Sequence, residues 1–233
     1  MKELLIIIPT YNEADNIRTV LNSIRNTFYD CDILIINDGS TDNTSNIARE
    51  ENAKVIDLPI NLGIGGCVQT GFLYAKKNNY KYALQFDGDD QHNARDIEVI
   101  LSEIKCKSSD LVIGSRFLQK VKGYNPSLYR RIGIKIFQIL IMILVRKKIT
   151  DSTSGFRIYN NRAISFLAEN YPIDFPEPEA IILLQKNGFK ISEIKTTMKK
   201  RRSGDSSIQF KGALYMLKVS LGMIMTYLRP CIK

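Results

Sequence analysis

The stretch "LLIIIPTYNEADNIRTVLNSI", Leu4–Ile24, sets the architecture. Leu4–Pro9 is an unbroken apolar run, the pattern of a strand covered on both faces, and Pro9 ends it. Asn12 is placed to cap the helix that follows. In that helix Ile17, Val20, Leu21, Ile24 and Phe28 recur at helical spacing and make one apolar stripe.

The alternation continues down the chain. "DILIIND" (Asp32–Asp38), "KVIDL" (Lys54–Leu58), "YALQFD" (Tyr82–Asp87) and "DLVIGS" (Asp110–Ser115) read as strands. Helices are expected over Thr41–Glu51, Gly65–Lys77 and the segment carrying Ile97, Ile100, Leu101 and Ile104. Strands alternating with helices predict an α/β fold, a Rossmann-like and mainly parallel sheet with helices on both faces. Crossovers in such a sheet are right-handed. Near residue 116 the alternation stops. A basic, apolar helix follows, then "DSTSGFR" (Asp151–Arg157), a helix over Glu177–Asn187 closed by Gly188, a strand "FKISEI", a basic loop and a terminal helix.

The chain of 233 residues suits one large domain or a domain with an appendage. Cys31, Cys67, Cys106 and Cys231 are widely spaced with no CxxC pair, which points to reduced thiols rather than a disulfide frame or a zinc site. "LLIIIP" is too short for a signal peptide core, and no window reaches the roughly 20 apolar residues of a membrane span. The net charge of +9 is uneven. Residues 116–150 hold nine Lys/Arg and no Asp/Glu, residues 195–233 hold nine Lys/Arg and only Asp205, and the remainder holds 15 basic and 23 acidic residues. An acidic body thus carries two basic segments, which also contain the apolar stretches Ile136–Val145 and Gly212–Leu228. That combination predicts amphipathic helices lying on an anionic membrane surface. In the terminal helix Leu214, Leu217, Leu221, Met225 and Leu228 share a face. Nucleic acid is not an expected partner, since no helix-turn-helix or zinc-finger spacing occurs.

Ligands of such sheets bind beyond the carboxyl ends of the strands. That rim collects Thr10–Glu13, Asp38–Ser40, Asp87–His92 and Ser115-Arg116. In "FDGDDQH" three carboxylates stand within four residues. Asp87 and Asp89 can both turn toward one hard cation, magnesium or manganese, which takes oxygen ligands and leaves room for a diphosphate. Asp38 can accept bonds from a base or ribose. "NLGIGGCVQTG" (Asn61–Gly71) places Gly63 and three further glycines where a ligand could approach the backbone. It is neither a Walker loop nor a GxGxxG fingerprint.

Together, "PTYNEADNI", "INDGSTDNT", "NLGIGG", "FDGDDQH", "GSRF" and "DSTSGFR", in that order, resemble the family 2 glycosyltransferases of GT-A fold, and most the polyprenyl-phosphate sugar synthases. The resemblance runs from about Ile8 to Ser207. It implies a transferase domain over residues 1–207, with a helix at about 129–147 as an insertion, and a membrane-associating helix over 208–233. It implies that Pro9, Tyr11, Glu13, Asp38, Gly63, Asp87 and Asp89 bind the nucleotide-sugar, and that Asp87, Asp89 and Gln91 hold Mg2+ or Mn2+. Asp89, Arg116, Glu179 and Arg201 are then the expected catalytic residues, Glu179 being the candidate base. Arg130, Arg131, Arg201, Arg202 and Ser206 are expected at the acceptor phosphate. The chain departs from the family pattern at Gly88, between the two aspartates, and at Ser207, where a lysine is usual.

The implied activity is inverting transfer from a nucleotide-sugar, UDP-glucose or UDP-N-acetylglucosamine favoured, to a polyprenyl phosphate such as undecaprenyl phosphate, for cell-surface glycan synthesis. The competing readings are extension of a polysaccharide on a sugar hydroxyl, and a silent nucleotide-sugar-binding scaffold. A phosphate monoester has a second pKa of roughly 6 and is ionised without a base, which suits a chain rich in arginine at these segments. The expected location is peripheral, on the cytoplasmic face of the membrane, with a small membrane protein or self-association as further expected partners.

Overall fold

The computed structural model describes residues 2–118, 128–199 and 212–231. In chain order the elements are β1 (Leu4–Thr10), α1 (Ala14–Thr27), β2 (Asp32–Asn37), α2 (Thr44–Glu50), β3 (Lys54–Asp57), α3 (Gly63–Lys77), β4 (Tyr82–Gln85), α4 (Asp96–Lys107), β5 (Leu111–Ser115), α5 (Leu128–Val145), β6 (Arg157–Asn160), α6 (Asn161–Asn170), α7 (Pro176–Lys186), β7 (Ile191–Lys195) and α8 (Gly212–Leu228). The strands form one sheet of order β3-β2-β1-β4-β6-β5-β7.

Continuous apolar runs make β1 the doubly covered centre of the sheet. Leu5 and Ile7 point into one core with α3, α5, α6, α7 and α8, while Leu4, Ile6 and Ile8 point into the other with α1 and α4. This period-2 split is what a pleated strand imposes. β1 pairs in parallel with β2 and β4, β2 with β3, and β5 with β7. The mainly parallel α/β sheet with helices on both faces is therefore as expected.

β6 is the exception, antiparallel to both β4 and β5. Neither β6 nor α6 is foreseen from the sequence. Because β6 runs backward, its first residue Arg157 arrives at the rim where its neighbours end. The loop Asp151–Phe156 is thereby delivered to the carboxyl ends of β1, β2, β4 and β5.

The capping expectation for Asn12 is corrected. Glu13 is the N-cap of α1 and makes no side-chain cap. Asn12 instead takes a left-handed φ of 54° and its Oδ1 accepts the Thr41 amide at 2.8 Å, tying the β1 loop to the β2 loop.

α5 and α8 pack on each other and on α7. The α5–α8 approach is close because Gly133 leaves space that a side chain would contest with the Met216 sulfur. Val219, Met223 and Thr226 of α8 are buried, while Leu214, Leu217, Leu221, Met225 and Leu228 are exposed. On α5, Ile132, Ile136, Ile139, Met142 and Ile143 are exposed as well. Among the described residues no helix is long and apolar enough to cross a membrane.

Candidate active site

The rim is built by strand ends and by the turns that leave them. The Asp38 amide donates to Thr10 O at 2.9 Å, and Phe86 N donates to Ile7 O at 3.0 Å, so the loops after β1, β2 and β4 start level. Asp38 is buried, and its two carboxylate oxygens accept the backbone N–H groups of Leu62 and Gly63 at 2.7 and 2.9 Å. It thus pins the start of α3, where Gly63 takes φ +74°. An ionised carboxylate has further lone pairs, so this anchoring leaves Asp38 acceptor capacity. Pro9 lies within β1 and is buried, Tyr11 is 50% exposed at the mouth, and Glu13 Oε2 accepts from Asn16 Nδ2 at 2.6 Å.

The crowding of Asp87, Asp89 and Asp90 is resolved by cations and donors supplied around them. His92 is buried, its ring between Phe86 and Phe156, and its Nε2 lies 2.9 Å from Asp87 Oδ2. An ionised carboxylate only accepts, so Nε2 carries the proton. Burial would raise the Asp87 pKa, but His92, Arg116 and Arg157 together outweigh it and hold Asp87 below the ordinary carboxylate value. Asp89 Oδ1 accepts the Gln91 amide at 3.1 Å. Asp90 takes φ +57°, is buried, and pairs with Lys199 Nζ at 2.9 Å. Gln91 turns its amide nitrogen to Lys199 O at 3.4 Å.

Among the described residues no three His, Cys, Asp or Glu side chains converge as a closed metal cage. A magnesium or manganese ion held for phosphate chemistry typically binds through one or two carboxylates and completes its shell with substrate oxygens and water. Asp87, kept ionised, and Asp89 are the rim carboxylates that could serve such an ion. Two glycines make the room. A Cβ on Gly155 would stand 2.6 Å from both Asp87 carboxylate oxygens, and one on Gly88 would stand 2.9 Å from Thr10 Cγ2.

Arg116 and Asp151 form a buried fork. Nε donates to Asp151 Oδ2 at 2.6 Å and Nη2 donates to Oδ1 at 2.7 Å, with a further bond from Nη2 to Thr153 Oγ1 at 2.9 Å. The Asp151 backbone is held by Glu193 of β7, whose Oε1 accepts the Thr150 and Asp151 amides at 3.0 Å each. Arg157 is wholly buried. Its guanidinium donates to the carbonyls of Ser154, Ser152 and Glu177 at 2.6, 2.8 and 2.7 Å, joining the Asp151–Phe156 loop to the start of α7.

The two glutamates of "PEPE" part company. Glu179, the expected base, is buried with Oε2 accepting from Thr226 Oγ1 of α8 at 2.6 Å. Glu177 faces Arg157 and Asp87. Burial pushes its carboxyl above the ordinary value against the pull of Arg157, and the Asp87 charge adds to the rise. Sequence reasoning passed over Glu177, as it did Asp151, Arg157, Lys199 and the role of His92. Arg131 is exposed beside Arg130 in the first turns of α5. Arg201, Arg202 and Ser206 lie outside the described residues.

Comparison with known proteins adds to this geometry. The family model for glycosyl transferase family 2 matches residues 5–167. The chain is 31% identical to a UDP-N-acetylglucosamine–dolichyl-phosphate N-acetylglucosaminyltransferase of Methanococcus voltae, over 96% of this chain and 98% of that one. It is 27% identical to an undecaprenyl-phosphate mannosyltransferase of Micrococcus luteus, over 88% of this chain and 87% of that one. Among solved structures, glucosyl-3-phosphoglycerate synthase from Mycobacterium tuberculosis, in complex with Mn2+, UDP and phosphoglyceric acid, matches with a TM-score of 0.72 at 16% identity, over 97% of this chain and 77% of that one. That likeness is one of fold, and it agrees with the GT-A expectation.

Proposed function

The chain belongs to glycosyl transferase family 2, and we propose that within it the protein moves a sugar from a nucleotide-sugar donor to a polyprenyl phosphate, with inversion at the anomeric carbon. That it is a glycosyltransferase follows from the family. The acceptor is argued from the relatives, whose names specify dolichyl and undecaprenyl phosphates and which align over nearly the whole chain.

One structural observation carries the reading. Asp87 and Asp89 at the rim stand beside a segment, leaving at Arg116 and returning at Asp151, whose helix α5 exposes an apolar row next to Arg131 and Lys135. An acceptor with an anionic head and an apolar tail matches both parts. In the reaction an oxygen of the acceptor phosphate forms the new bond to the anomeric carbon. The bond from that carbon to the donor diphosphate breaks, and the nucleoside diphosphate leaves with the electron pair. Asp87 and Asp89 would hold a magnesium or manganese ion, which when bound offsets charge on the departing diphosphate. The phosphate nucleophile needs no general base. Glu179, the expected base, instead accepts from Thr226 of α8. A sugar-hydroxyl acceptor would need a base.

UDP-N-acetylglucosamine and UDP-glucose are the favoured donors, the first being named in the Methanococcus relative. The exposed stripes of α5 and α8 support peripheral attachment to the cytoplasmic face of a membrane, in cell-surface glycan synthesis. The test is a donor screen with purified protein, undecaprenyl or dolichyl phosphate and Mg2+ or Mn2+, reading the lipid product by mass. A mass increment of one sugar on the lipid phosphate is expected. Transfer to a soluble glycan, with none to the lipid, would overturn the reading.

A further inference from the structure

The acidic loop presents three carboxylates in four residues, and the structure treats the third differently from the other two. Asp90 adopts the left-handed φ of 57°, a region that aspartate enters more readily than most side chains. Its side chain is buried, and Oδ1 meets Lys199 Nζ at 2.9 Å. The surroundings form a clasp. Lys199 N donates to Gln91 O at 2.8 Å, Gln91 Nε2 donates to Lys199 O at 3.4 Å, and His92 and Met198 form an antiparallel bridge. Below it Thr196 Oγ1 donates to Asp96 Oδ2 at 2.5 Å. Residues 196–199, which follow β7, thus run beside Asp90–His92 and Asp96.

We propose that Lys199 is a positioning residue that decides which carboxylates meet the cation: by pairing with Asp90 it withdraws that side chain from the rim and fixes the turn that carries Asp89. The inference rests on the cation reading of Asp87 and Asp89. Three free carboxylates would bind a bare divalent ion tightly and crowd out the diphosphate oxygens that must share it. Two carboxylates with a neutralised third leave the ion dependent on the nucleotide. A divalent ion at Asp89 would also feel the charge of Lys199, which pairs with the neighbouring Asp90.

The experiment measures Mn2+ binding by electron paramagnetic resonance, without and with UDP, in wild type, Lys199→Met, Asp90→Asn and the double variant. Lys199→Met should bind Mn2+ without nucleotide about tenfold more tightly, and its dependence on UDP should shrink. The double variant, in which both charges are gone, should return to within about twofold of wild type, as expected for a directly coupled pair. Asp90→Asn alone, leaving Lys199 unpaired beside the ion, should bind more weakly than wild type. Unchanged or weaker binding in Lys199→Met overturns the proposal, as does a double variant that behaves like Lys199→Met alone. The double variant also guards against misfolding, since it buries no lone charge. Absence of Mn2+ binding in the wild type, with and without UDP, would instead overturn the underlying cation reading.

Discussion

The Nε2 of His92 stands 2.9 Å from Oδ2 of Asp87 while Phe86 and Phe156 hold the ring edge-on and tilted at centroid distances of 5.3 Å. The imidazole therefore orients one oxygen of the carboxylate, and on the proposed reading the other would meet the ion. Outer partners of this kind are worth about 10–100-fold in metal affinity or activity. His92→Phe, which keeps the packing and removes the donor, should lower Mn2+ affinity in the presence of UDP by that factor. An Mn2+ titration at constant UDP decides it, and an unchanged curve would assign His92 to packing alone.

Gly155 is the second support for Asp87. Gly155→Ala puts a methyl 2.6 Å from both carboxylate oxygens, so the carboxylate must move. A displacement near 1 Å at reacting geometry costs about 100-fold, so transfer should fall at least tenfold. Gly188→Ala is the control. Its φ of +75° with open space around it should cost about 1–2 kcal/mol of stability and leave transfer intact. Equal activity in the two variants would refute the close approach.

Arg116 and Asp151 form a buried pair in which each compensates the other. Arg116→Met leaves Asp151 uncompensated and should cost about 3–5 kcal/mol in urea unfolding. Arg116→Lys keeps the charge without the fork and should fall between. Arg116→Met combined with Asp151→Leu should recover most of the stability. Activity that stays lost in that stable double variant would mark Arg116 as acting on the diphosphate as well as on the loop.

Acid stability should report Asp87. Its folded pKa lies below the ordinary 3.8, so its contribution is present above that value and disappears as pH falls through the folded pKa. In metal-free buffer, urea midpoints for Asp87→Asn should therefore fall less steeply than wild type below about pH 4. Parallel curves would mean that the carboxylate gains nothing from His92, Arg116 and Arg157.

The exposed apolar row of α8 should be dispensable for folding and needed for attachment. Leu217→Glu with Leu221→Glu should abolish sedimentation with vesicles containing anionic lipid. Stability should stay within about 0.5 kcal/mol, as for surface positions. Retained sedimentation would remove α8 from the membrane reading.

The parts legible in the sequence were those with long, one-sided signals. β1, β2 and β5 are apolar runs closed by turn residues, and the α1 stripe of Ile17, Val20, Leu21 and Ile24 is buried as its spacing predicts. The exposed row of α8 was equally readable, because Leu214, Leu217, Leu221, Met225 and Leu228 recur at one helical face. β6 was not readable. "RIYN" has only four residues and begins with an arginine, whose burial depends on two carbonyls of the loop just before it and one from the start of α7. Asn12 looked like a cap because its residue type suits one, yet a left-handed φ turned it to Thr41. Glu177 and Glu179 could not be told apart by composition. Two residues along a helix is a rotation of about 200°, so one faces Asp87 and the other faces Thr226. The individual positions of the acidic loop were visible, but the sorting of its three carboxylates was not, since His92 is fixed by aromatic neighbours and Lys199 comes from beyond β7.

The reversed direction of β6 has a wider consequence. Chain leaves the sheet at Ser115 and re-enters at Arg157 on the same border, and the Arg116–Asp151 fork buckles the two crossing points together. Helix α5, strung between them, sinks Phe137 and Ile141 into the core and turns Ile132, Ile136, Ile139 and Ile143 outward, so whatever covers that row is held at a fixed place relative to the rim. On the proposed reading, the outward side chains of α5 can vary with the surface the protein meets while the Asp38–Gly63 anchor keeps its own contacts.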